Sequence, residues 1–465
     1  MPSPARAVNR PAGADRHRGR GAGGLPSGGA RDPPVPGERT TALGLRFLHA
    51  ADLHLDSPFR GLTAVAPAPI AAQLAEATVG AWGRIVALAI AERVDCVVVA
   101  GDVFESESRT IRAQLAFADG LWELDRAGIA SFVVTGNHDP LSGWEASVAL
   151  PPSCRRFGAD AVEVHPLVRD GVEIAHIHGI SYPRRDVREN LAARFRALPG
   201  GPFSIGLLHA NVGGRPEHED YAPCSVADLV ASGIDYWALG HIHRPALVRA
   251  DAPTVVYPGN PQGRDFGETE PRGVVLATVG DDRRVHVEQR TLDAIRWTER
   301  TIGIGGLASL THLAEAIEEE ADGARRAAGR PTIVRIRLEG TGTLHDELRR
   351  DPGGLAALVE RVNARSTGWA PWAWIAAVTD RTRAAGTGAL AGADDLLAEL
   401  DRVIGDTGGA LRAGTDDPAG IRAALEALAG RDGLRDAIGA FTPDDLDAIA
   451  VAARARIADE LARRD

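Results

Sequence analysis

The hydrophobic pattern becomes regular at Leu45 and then alternates between two spacings. Short apolar runs typical of buried strands occur in LRFLHA, DCVVVAG and ASFVV. Between these runs, the segments at residues 70–94 and 111–129 carry apolar residues at helical spacing. The resulting order, strand–helix–strand–helix–strand, predicts an α/β layered domain.

From Glu173 onward the apolar runs follow one another with fewer helical segments between them. The segments EIAHIHGISY, PFSIGLLHANV, IDYWALGHIH, PTVVYPGN and GVVLATVG are typical of strands separated by loops. We therefore expect a second sheet packed on the first, with helices on the outside. We place the end of this domain near Leu292–Arg296.

The remaining sequence divides the chain into four predicted regions. TIVRIRLEGTGTLHDELRR indicates a strand and a helix of a small α/β module, to which WAWIAAVTDRT adds a strand. After the linker GTGALAGA the spacing is helical, which fits either a small bundle or an amphipathic surface for a partner. The predicted regions are a disordered tail (1–44), the main domain (45–295), the small α/β domain (296–385) and a helical C-terminal region (386–465).

The N-terminal 44 residues are rich in Gly, Pro, Arg and Ala and contain no apolar core of a secretory signal. A disordered tail or an unused upstream start codon fits this composition best. Its arginines leave a transit peptide as the alternative, although its prolines and glycines disfavour an amphipathic helix.

Composition narrows the classes of function. We expect no membrane segment, because no apolar run reaches about 18 residues, and hence a cytoplasmic protein. The three cysteines are far apart, which fits a reducing compartment and excludes a cysteine zinc cluster. The net charge of −11 argues against a broadly basic nucleic-acid surface. A carboxylate metal site is itself acidic, however, and bound cations reverse its local field.

The candidate chemistry lies where the predicted strands end. Ligands bind at the carboxyl ends of strands in α/β sheets, and here those ends carry carboxylate, imidazole and amide groups. Such donors suit Mn²⁺, Fe²⁺ or Zn²⁺, and they suffice for two ions that share a carboxylate. The set is Asp52, His54, Asp102, Asn137, His138, Asp139, His209, His241 and His243.

These motifs carry a resemblance. AADLHL, GDVF, GNHD, LLH and GHIH resemble, in order and context, the calcineurin-like metallophosphoesterase family. Within that family, HAADLHLDSPF, GNHDPLSGW, EHEDYAPCS and YPGNPQGRDFGE are similar to the bacterial YhaO/SbcD-type DNA repair exonucleases. The implied fold is a four-layer α/β sandwich, in which helices flank two sheets, with a small α/β capping domain and a helical C-terminal region.

The resemblance implies a role for each motif residue. The ligands of the first metal would be Asp52, His54 and His243; those of the second would be Asn137, His209 and His241; Asp102 would bridge the two. His138 would protonate the leaving oxygen, and Asp139 would orient a neighbouring histidine. The expected substrate contacts are Arg60, Glu105, His218 and Arg264. Glu105 departs from many SbcD relatives, which have histidine or aspartate at that position.

The implied function is DNA hydrolysis from 3′ ends by a two-metal exonuclease in DNA repair, with Mn²⁺ as the expected ion. The expected partners are DNA, a coiled-coil ATPase of the SbcC/YhaN kind and a second copy of the chain in a homodimer. One alternative is a phosphatase or nucleotide phosphodiesterase of the same superfamily, although GDVFESES lacks the GDxxDRG of protein phosphatases. The other is a non-catalytic subunit that binds DNA ends or a partner.

Not every histidine belongs to this set. AHIHG has the same His-x-His spacing as GHIH, but His176 and His178 fill no vacant role, so we predict them to be strand residues, like His49. We likewise interpret Trp297, Trp369, Trp372 and Trp374 as core residues rather than platforms for stacking on bases.

Overall fold

The computed structural model describes residues 44–59, 62, 65–105, 110–143, 148–214 and 221–384. Two predicted substrate contacts, Arg60 and His218, lie outside these residues. So do almost all of the predicted N-terminal tail and the whole predicted C-terminal region.

The first part of the chain alternates strands and helices as the sequence predicts. Its elements are β1 (Leu45–Ala50), α1 (Ala68–Glu92), β2 (Cys96–Ala100), α2 (Ile111–Arg126), β3 (Ala130–Val134) and β4 (Cys154–Arg156). The strand-rich part that follows contains β5 (Glu163–Arg169), β6 (Val172–Gly179), β7 (Phe203–His209), α3 (Val226–Ala231), β8 (Tyr236–Gly240), β9 (Ala246–Arg249), β10 (Thr254–Tyr257), β11 (Gly273–Val279) and β12 (Val285–Thr291). The last elements are β13 (Arg296–Gly303), α4 (Leu310–Ala328), β14 (Thr332–Gly342), α5 (Leu344–Arg350), α6 (Pro352–Ser366) and β15 (Ala373–Ala384).

The strands form two six-stranded sheets and one three-stranded sheet. The first sheet has the order β12-β11-β1-β2-β3-β4, and the second has the order β5-β6-β7-β8-β10-β9. Strands β1 to β4 are parallel to one another, as are β6, β7, β8 and β10. The small sheet has the order β13-β14-β15. The expectation of two packed sheets is therefore confirmed.

Alternating side chains of the strands build three apolar layers. On β1, Phe47 belongs to the layer between the two sheets, whereas Leu48 belongs to the layer under α1 and α2. On β8, Tyr236 faces the first sheet, and Trp237 packs in a third layer with Leu229 of α3. Full burial of such a side chain contributes about 1.5–3 kcal/mol. The result is the predicted four-layer α/β/β/α sandwich.

Helix α1 bears on the expectation that the chain has no membrane segment. Polar residues interrupt it, but its 18-residue window with mean hydropathy 1.4 makes it, by length and composition, apolar enough to cross a membrane. In the fold, 44% of that window is buried. Trp82 and Ile85 pack with Leu48 of β1, so α1 is packed as a core helix.

Contacts divide the described residues into two compact units. The first contains the residues up to Thr301, together with Ala314–Arg337 and Ala357–Thr379. The second contains Ile302–Leu313, Leu338–Ala356 and the described residues from Asp380 onward. Within the first unit, Trp297, Trp372 and Trp374 are buried beside Phe59 and Leu74. The interpretation as core residues is confirmed for these three, whereas Trp369 is only partly buried.

Candidate metal centre

All seven predicted metal ligands lie at or just after the carboxyl end of a strand. The ligand-bearing strands β1, β2 and β3 are parallel in the first sheet, as are β7 and β8 in the second, and the two sheets bring these ends to one edge of the sandwich. A hydrogen bond crosses between the sheets there, because His209 Nδ1 lies 3.0 Å from the carbonyl oxygen of Ala100. The residues are Asp52 and His54 after β1, Asp102 after β2, Asn137 after β3, His209 at the end of β7, and His241 and His243 after β8.

The side chains converge into two overlapping groups of donors. One group is Asp52, His54 and His243, and the other is Asp52, Asp102 and His209; in each, the donor atoms lie within 4.8 Å of one another. Oδ2 of Asp102 lies 3.8 Å from His54 Nε2 and 3.5 Å from His209 Nε2. Asp102 thus lies close to a histidine of each group, and Asp52 belongs to both.

The remaining two predicted ligands adjoin the second group. Oδ1 of Asn137 lies 2.9 Å from His209 Nε2. The ring of His241 lies 5.4 Å from that of His209, centroid to centroid. The backbone N–H of His241 also donates to the carboxylate of Asp52 at 3.1 Å. The structure therefore brings all seven residues together.

Four of these residues adopt a left-handed backbone, which is uncommon outside glycine. The φ angles are 52° at Asp52, 42° at His54, 50° at Asp102 and 98° at His241. Such conformations cost about 1–3 kcal/mol each and cluster at functional sites. The loops after β1 and β2 hold each other in place, since Asp52 and His54 donate their N–H groups to the carbonyls of Gly101 and Asp102.

The pKa values of the two buried carboxylates are shifted in opposite directions. Burial and the negative charge of Asp102 raise the pKa of Asp52 well above its usual range. Burial also acts to raise the pKa of Asp102, but His209 and His54 outweigh it and lower that pKa to about 2. Two like charges this close do not both ionise easily without a cation between them.

The histidines also fit a bound metal. Nε2 of His54 and Nε2 of His243 face each other at 3.2 Å. Nδ1 of His243 lies 2.7 Å from a carboxylate oxygen of Glu268, which places the proton on Nδ1 and leaves a lone pair on Nε2. For His54, burial and the charge of Arg264 lower the pKa to about 3, so it is neutral. Two imidazole nitrogens that face each other at this distance can both bind one shared cation, so the donor set fits divalent metal ions.

His138 lies beside this cluster and is held from two sides. Its backbone N–H donates to Asp102 Oδ1 at 3.0 Å, and its Nδ1 lies 2.5 Å from Glu105 Oε1. Burial opposes protonation, but the hydrogen bond to Glu105 and the charge of Asp102 raise the pKa of His138. The raised pKa favours the protonated imidazole, and the hydrogen bond to Glu105 occupies Nδ1 and leaves Nε2 for other partners.

Glu105 and Arg264 lie behind the histidines. Glu105 is 8% exposed, and its Oε2 lies 3.2 Å from His54 Nδ1, although poorly aligned for a hydrogen bond. A guanidinium nitrogen of Arg264 lies 3.3 Å from the same oxygen, and another lies 3.5 Å from His243 Nδ1. Both residues thus touch the histidines, and their expected contact with substrate stays a prediction.

The carboxylate of Asp139 accepts hydrogen bonds from backbone N–H groups of two loops. Its Oδ1 accepts the N–H of Gly136 at 2.7 Å, and its Oδ2 accepts that of Val103 at 2.8 Å. It therefore joins the loop after β2 to the loop after β3. Glu268 is the carboxylate against His243, and the sequence analysis did not assign it any role. The motif YPGNPQGRDFGE, which includes Glu268, was the available signal.

The histidines set aside in the sequence analysis lie in strands. His49 is buried in β1, with its two ring nitrogens 3.1 Å from the Tyr236 hydroxyl and from the carbonyl oxygen of Leu239. Burial lowers the pKa of His49 to about 3, so it is a neutral core residue. His176 and His178 lie within β6, as predicted.

A groove of about 690 Å³ opens over the cluster. Asp102, Asn137, His138, His241 and His243 line it, which places donors of both groups and the imidazole of His138 on one surface. The other lining residues are Arg185, Tyr221, Arg244, Gly267, Glu268, Thr269, Glu270 and Arg272.

Comparison with known proteins agrees with this geometry. Residues 45–245 match the calcineurin-like phosphoesterase family, and residues 297–383 match the middle domain of metallophosphoesterase YhaO. The metallophosphoesterase YhaO of Bacillus subtilis is 38% identical over 297 residues, which cover 64% of this chain and 72% of that protein. The chain belongs to the calcineurin-like metallophosphoesterase family. It is accordingly a hydrolase of phosphoester bonds, and the Asp/His cluster is its candidate metal site.

More distant members of the family carry names that describe work on DNA. The DNA double-strand break repair protein Mre11 of Haloferax volcanii is 27% identical over 382 residues, covering 80% of this metallophosphoesterase and 79% of that protein. The SbcD component of the nuclease SbcCD of Bacillus subtilis is 24% identical over 260 residues, covering 48% of this metallophosphoesterase and 63% of that component.

Proposed function

We propose that this metallophosphoesterase is a DNA exonuclease that uses two divalent metal ions, with Mn²⁺ as the preferred ion. It removes nucleotides from 3′ ends in cytoplasmic DNA repair. One observation carries the proposal: donors of both groups, including Asp102 and His243, line one groove together with the imidazole of His138. The names of the Mre11 and SbcD relatives support DNA as the substrate.

The proposed ligands keep the roles that the family resemblance implies, and the close approach of the side chains supports them. Asp52, His54 and His243 would hold the first ion; Asn137, His209 and His241 would hold the second; Asp102 would serve both. When bound, two such ions supply a deprotonated water at neutral pH and neutralise charge on the phosphoryl oxygens.

The chain's own groups supply the proton and the binding surface. Nδ1 of His138 is engaged by Glu105, so Nε2 is the atom that donates a proton to the leaving oxygen. Arg185 and Arg244 line the groove, and guanidinium groups suit the phosphates on either side of the scissile bond. We assign Arg60, His218 and Arg264 to the same substrate surface.

The domain organisation belongs to this proposal. We place the phosphoesterase domain at residues 45–295 and the capping domain at 296–385, in line with the two family matches. A coiled-coil ATPase of the SbcC/YhaN kind docks on residues 386–465, which the sequence predicts to be helical, and the chain works as a homodimer.

The test is hydrolysis of end-labelled linear duplex DNA, with a bis-aryl phosphodiester measured in parallel. The protein is stripped of metal and then given Mn²⁺. We expect both substrates to be cleaved only with Mn²⁺, His138→Ala to lose about 10²–10⁴-fold of the activity, and Asp102→Ala to lose at least as much. His176→Ala, a change in β6, serves as the control.

Each contrary result has a distinct meaning. Cleavage of the small diester without cleavage of DNA, with or without an added ATPase, would favour a nucleotide phosphodiesterase. Failure of both reactions despite bound Mn²⁺ would favour a non-catalytic binding subunit.

A further inference from the structure

The loop from Pro258 to Arg272, between β10 and β11, contacts two separate places in the first unit. One is the metal centre at His243, and the other is the start of β13. None of its residues is among the seven proposed ligands. The loop acts on the metal centre through its hydrogen bonds to His243.

Glu268 is fixed by three hydrogen bonds, one of which goes to His243. Oε1 of Glu268 lies 2.7 Å from His243 Nδ1. Its other oxygen accepts from Asn260 Nδ2 and from the backbone N–H of Arg264, both at 2.8 Å. With both oxygens engaged, the carboxylate has one orientation, and so has the imidazole that it contacts.

The same loop also holds the backbone of His243. The carbonyl oxygen of His243 accepts from the guanidinium of Arg272 and from the backbone N–H of Asn260. Arg272 is only 3% exposed and lies 3.2 Å from Asn260 Oδ1. Side chain and backbone of His243 are therefore held by one loop.

At its other side the loop is anchored to β13 and the residues just before it. The Gln262 amide accepts from the backbone N–H of Ala294 at 2.7 Å and donates to the Ile295 carbonyl at 2.8 Å. The indole N–H of Trp297 donates to the Gly263 carbonyl at 2.8 Å, and the rings of Trp297 and Phe266 are nearly perpendicular, 4.9 Å apart centroid to centroid. The start of β13 thus sets where the loop lies.

We propose that Glu268 is a positioning residue for the metal centre, and that its loop is held for this task by Gln262 and Trp297. The Glu268 hydrogen bond keeps the proton of His243 on Nδ1 and aims Nε2 at the cluster, where it lies 3.2 Å from His54 Nε2. Carboxylates that orient metal-bound histidines in this way contribute about 10–100-fold to metal affinity. This inference rests on the proposed role of His243 as a ligand.

The first test is Mn²⁺ affinity of the full chain, measured by calorimetry on metal-stripped protein. We expect Glu268→Ala to raise the dissociation constant of one ion about 10–100-fold, and Glu268→Asp, which keeps the charge, to restore part of the affinity. The matched control is Glu163→Gln. Glu163 also pairs with a histidine, His165 at 3.1 Å, and accepts a backbone N–H, that of Gly158, but it lies on β5.

The second test measures whether the anchoring of the loop by Trp297 affects Mn²⁺ affinity. Trp297→Phe deletes the hydrogen bond to Gly263, and we expect Mn²⁺ binding about 3–10-fold weaker. Trp82→Phe is the matched control, because Trp82 is equally buried and its indole N–H has no hydrogen-bond partner among the described residues. It should leave Mn²⁺ binding unchanged.

The outcomes separate the inference from the function on which it rests. Wild-type protein that binds no Mn²⁺ would remove the proposed metal centre, and the inference with it. Wild-type binding that Glu268→Ala leaves unchanged would overturn the positioning role alone. A loss of affinity no larger than in Glu163→Gln, with a lower melting temperature of the metal-free protein, would mean that Glu268 is merely structural. Equal affinities of Trp297→Phe and Trp82→Phe would overturn the anchor.

Discussion

Two His-x-His segments lie on the second sheet, and only one of them joins the metal cluster. His176 and His178 lie inside β6, where His176 pairs with Glu173 at 3.0 Å and both ring nitrogens of His178 lack hydrogen-bond partners among the described residues. His241 and His243 follow the end of β8, where the chain leaves the extended conformation. The same spacing therefore has different consequences on the two strands.

The difference comes from position along the strand. Residues two apart in a strand point to the same face, so His176 and His178 lie side by side on one face of β6. Beyond the end of β8, the φ of 98° at His241 turns the chain, and the two imidazoles reach different partners. The His241 ring packs near His209, while His243 Nε2 meets His54. A histidine pair forms part of this site only where the strand has already ended.

The largest expected effect is the difference in hydrolysis rate between matched substitutions in the two His-x-His segments. We expect His243→Ala to reduce phosphodiester hydrolysis by more than about 100-fold, because loss of a residue that merely orients a ligand already costs about 10–100-fold. His176→Ala should stay close to wild type in the same steady-state assay with Mn²⁺. Similar losses in both variants would mean that position along the strand does not distinguish the two segments.

The next effect is stabilisation by metal, measured as the melting temperature with Mn²⁺ and with a chelator. An ion at a hundred times its dissociation constant stabilises the folded state by about 2.7 kcal/mol, which raises the melting temperature by roughly 5–10 °C. We expect this shift to shrink in His243→Ala and to persist in His178→Gln. A shift that persists undiminished in His243→Ala would place the stabilising ion elsewhere.

A smaller difference between the two segments is expected when the glycine beside each histidine pair is replaced by alanine. A Cβ at Gly240 would overlap the backbone carbonyl of Ala100 and lie 2.8 Å from the His209 ring. A Cβ at Gly179 would instead meet the ring of the buried Phe157, which is not a proposed ligand. We expect Gly240→Ala to lower the free energy of unfolding in urea by about 1–3 kcal/mol and to weaken Mn²⁺ binding. Gly179→Ala should leave Mn²⁺ binding unchanged, and equal effects on Mn²⁺ binding would contradict the contrast.

This contrast shows what the sequence could and could not predict. The ligands were predictable because each follows a short apolar run, and the carboxyl ends of parallel strands meet at one edge. Glu268 could not be predicted, because it lies 25 residues after His243 in the chain. Its contact with His243 depends on how its loop folds, with Asn260 against Glu268 and with Gln262 and Trp297 joining the loop to β13 and the residues just before it. The edge strand β5 was missed because solvent-facing and half-buried residues alternate along it without a continuous apolar run. The pairing of β1 with β11 joins distant parts of the chain, and hydrophobic spacing carries no record of such pairing.

The smallest expected effect is the pH dependence of stability caused by His178, which lies in the segment that is not part of the site. Burial, and then the neighbouring His176, lowers the pKa of His178 from 6.5 to about 4. The unfolded chain therefore binds a proton between pH 6.5 and pH 4 that the folded chain does not. The contribution of His178 to stability is complete above pH 6.5 and decreases as the pH falls towards 4, by at most about 1.4 kcal/mol per pH unit. We expect His178→Gln to flatten this slope in urea unfolding of the metal-free protein, whereas His286→Gln, a change at an exposed histidine of β12, should leave it unchanged. An unaltered slope in His178→Gln would mean that His178 is already protonated in the folded state and that β6 holds a charge in its interior.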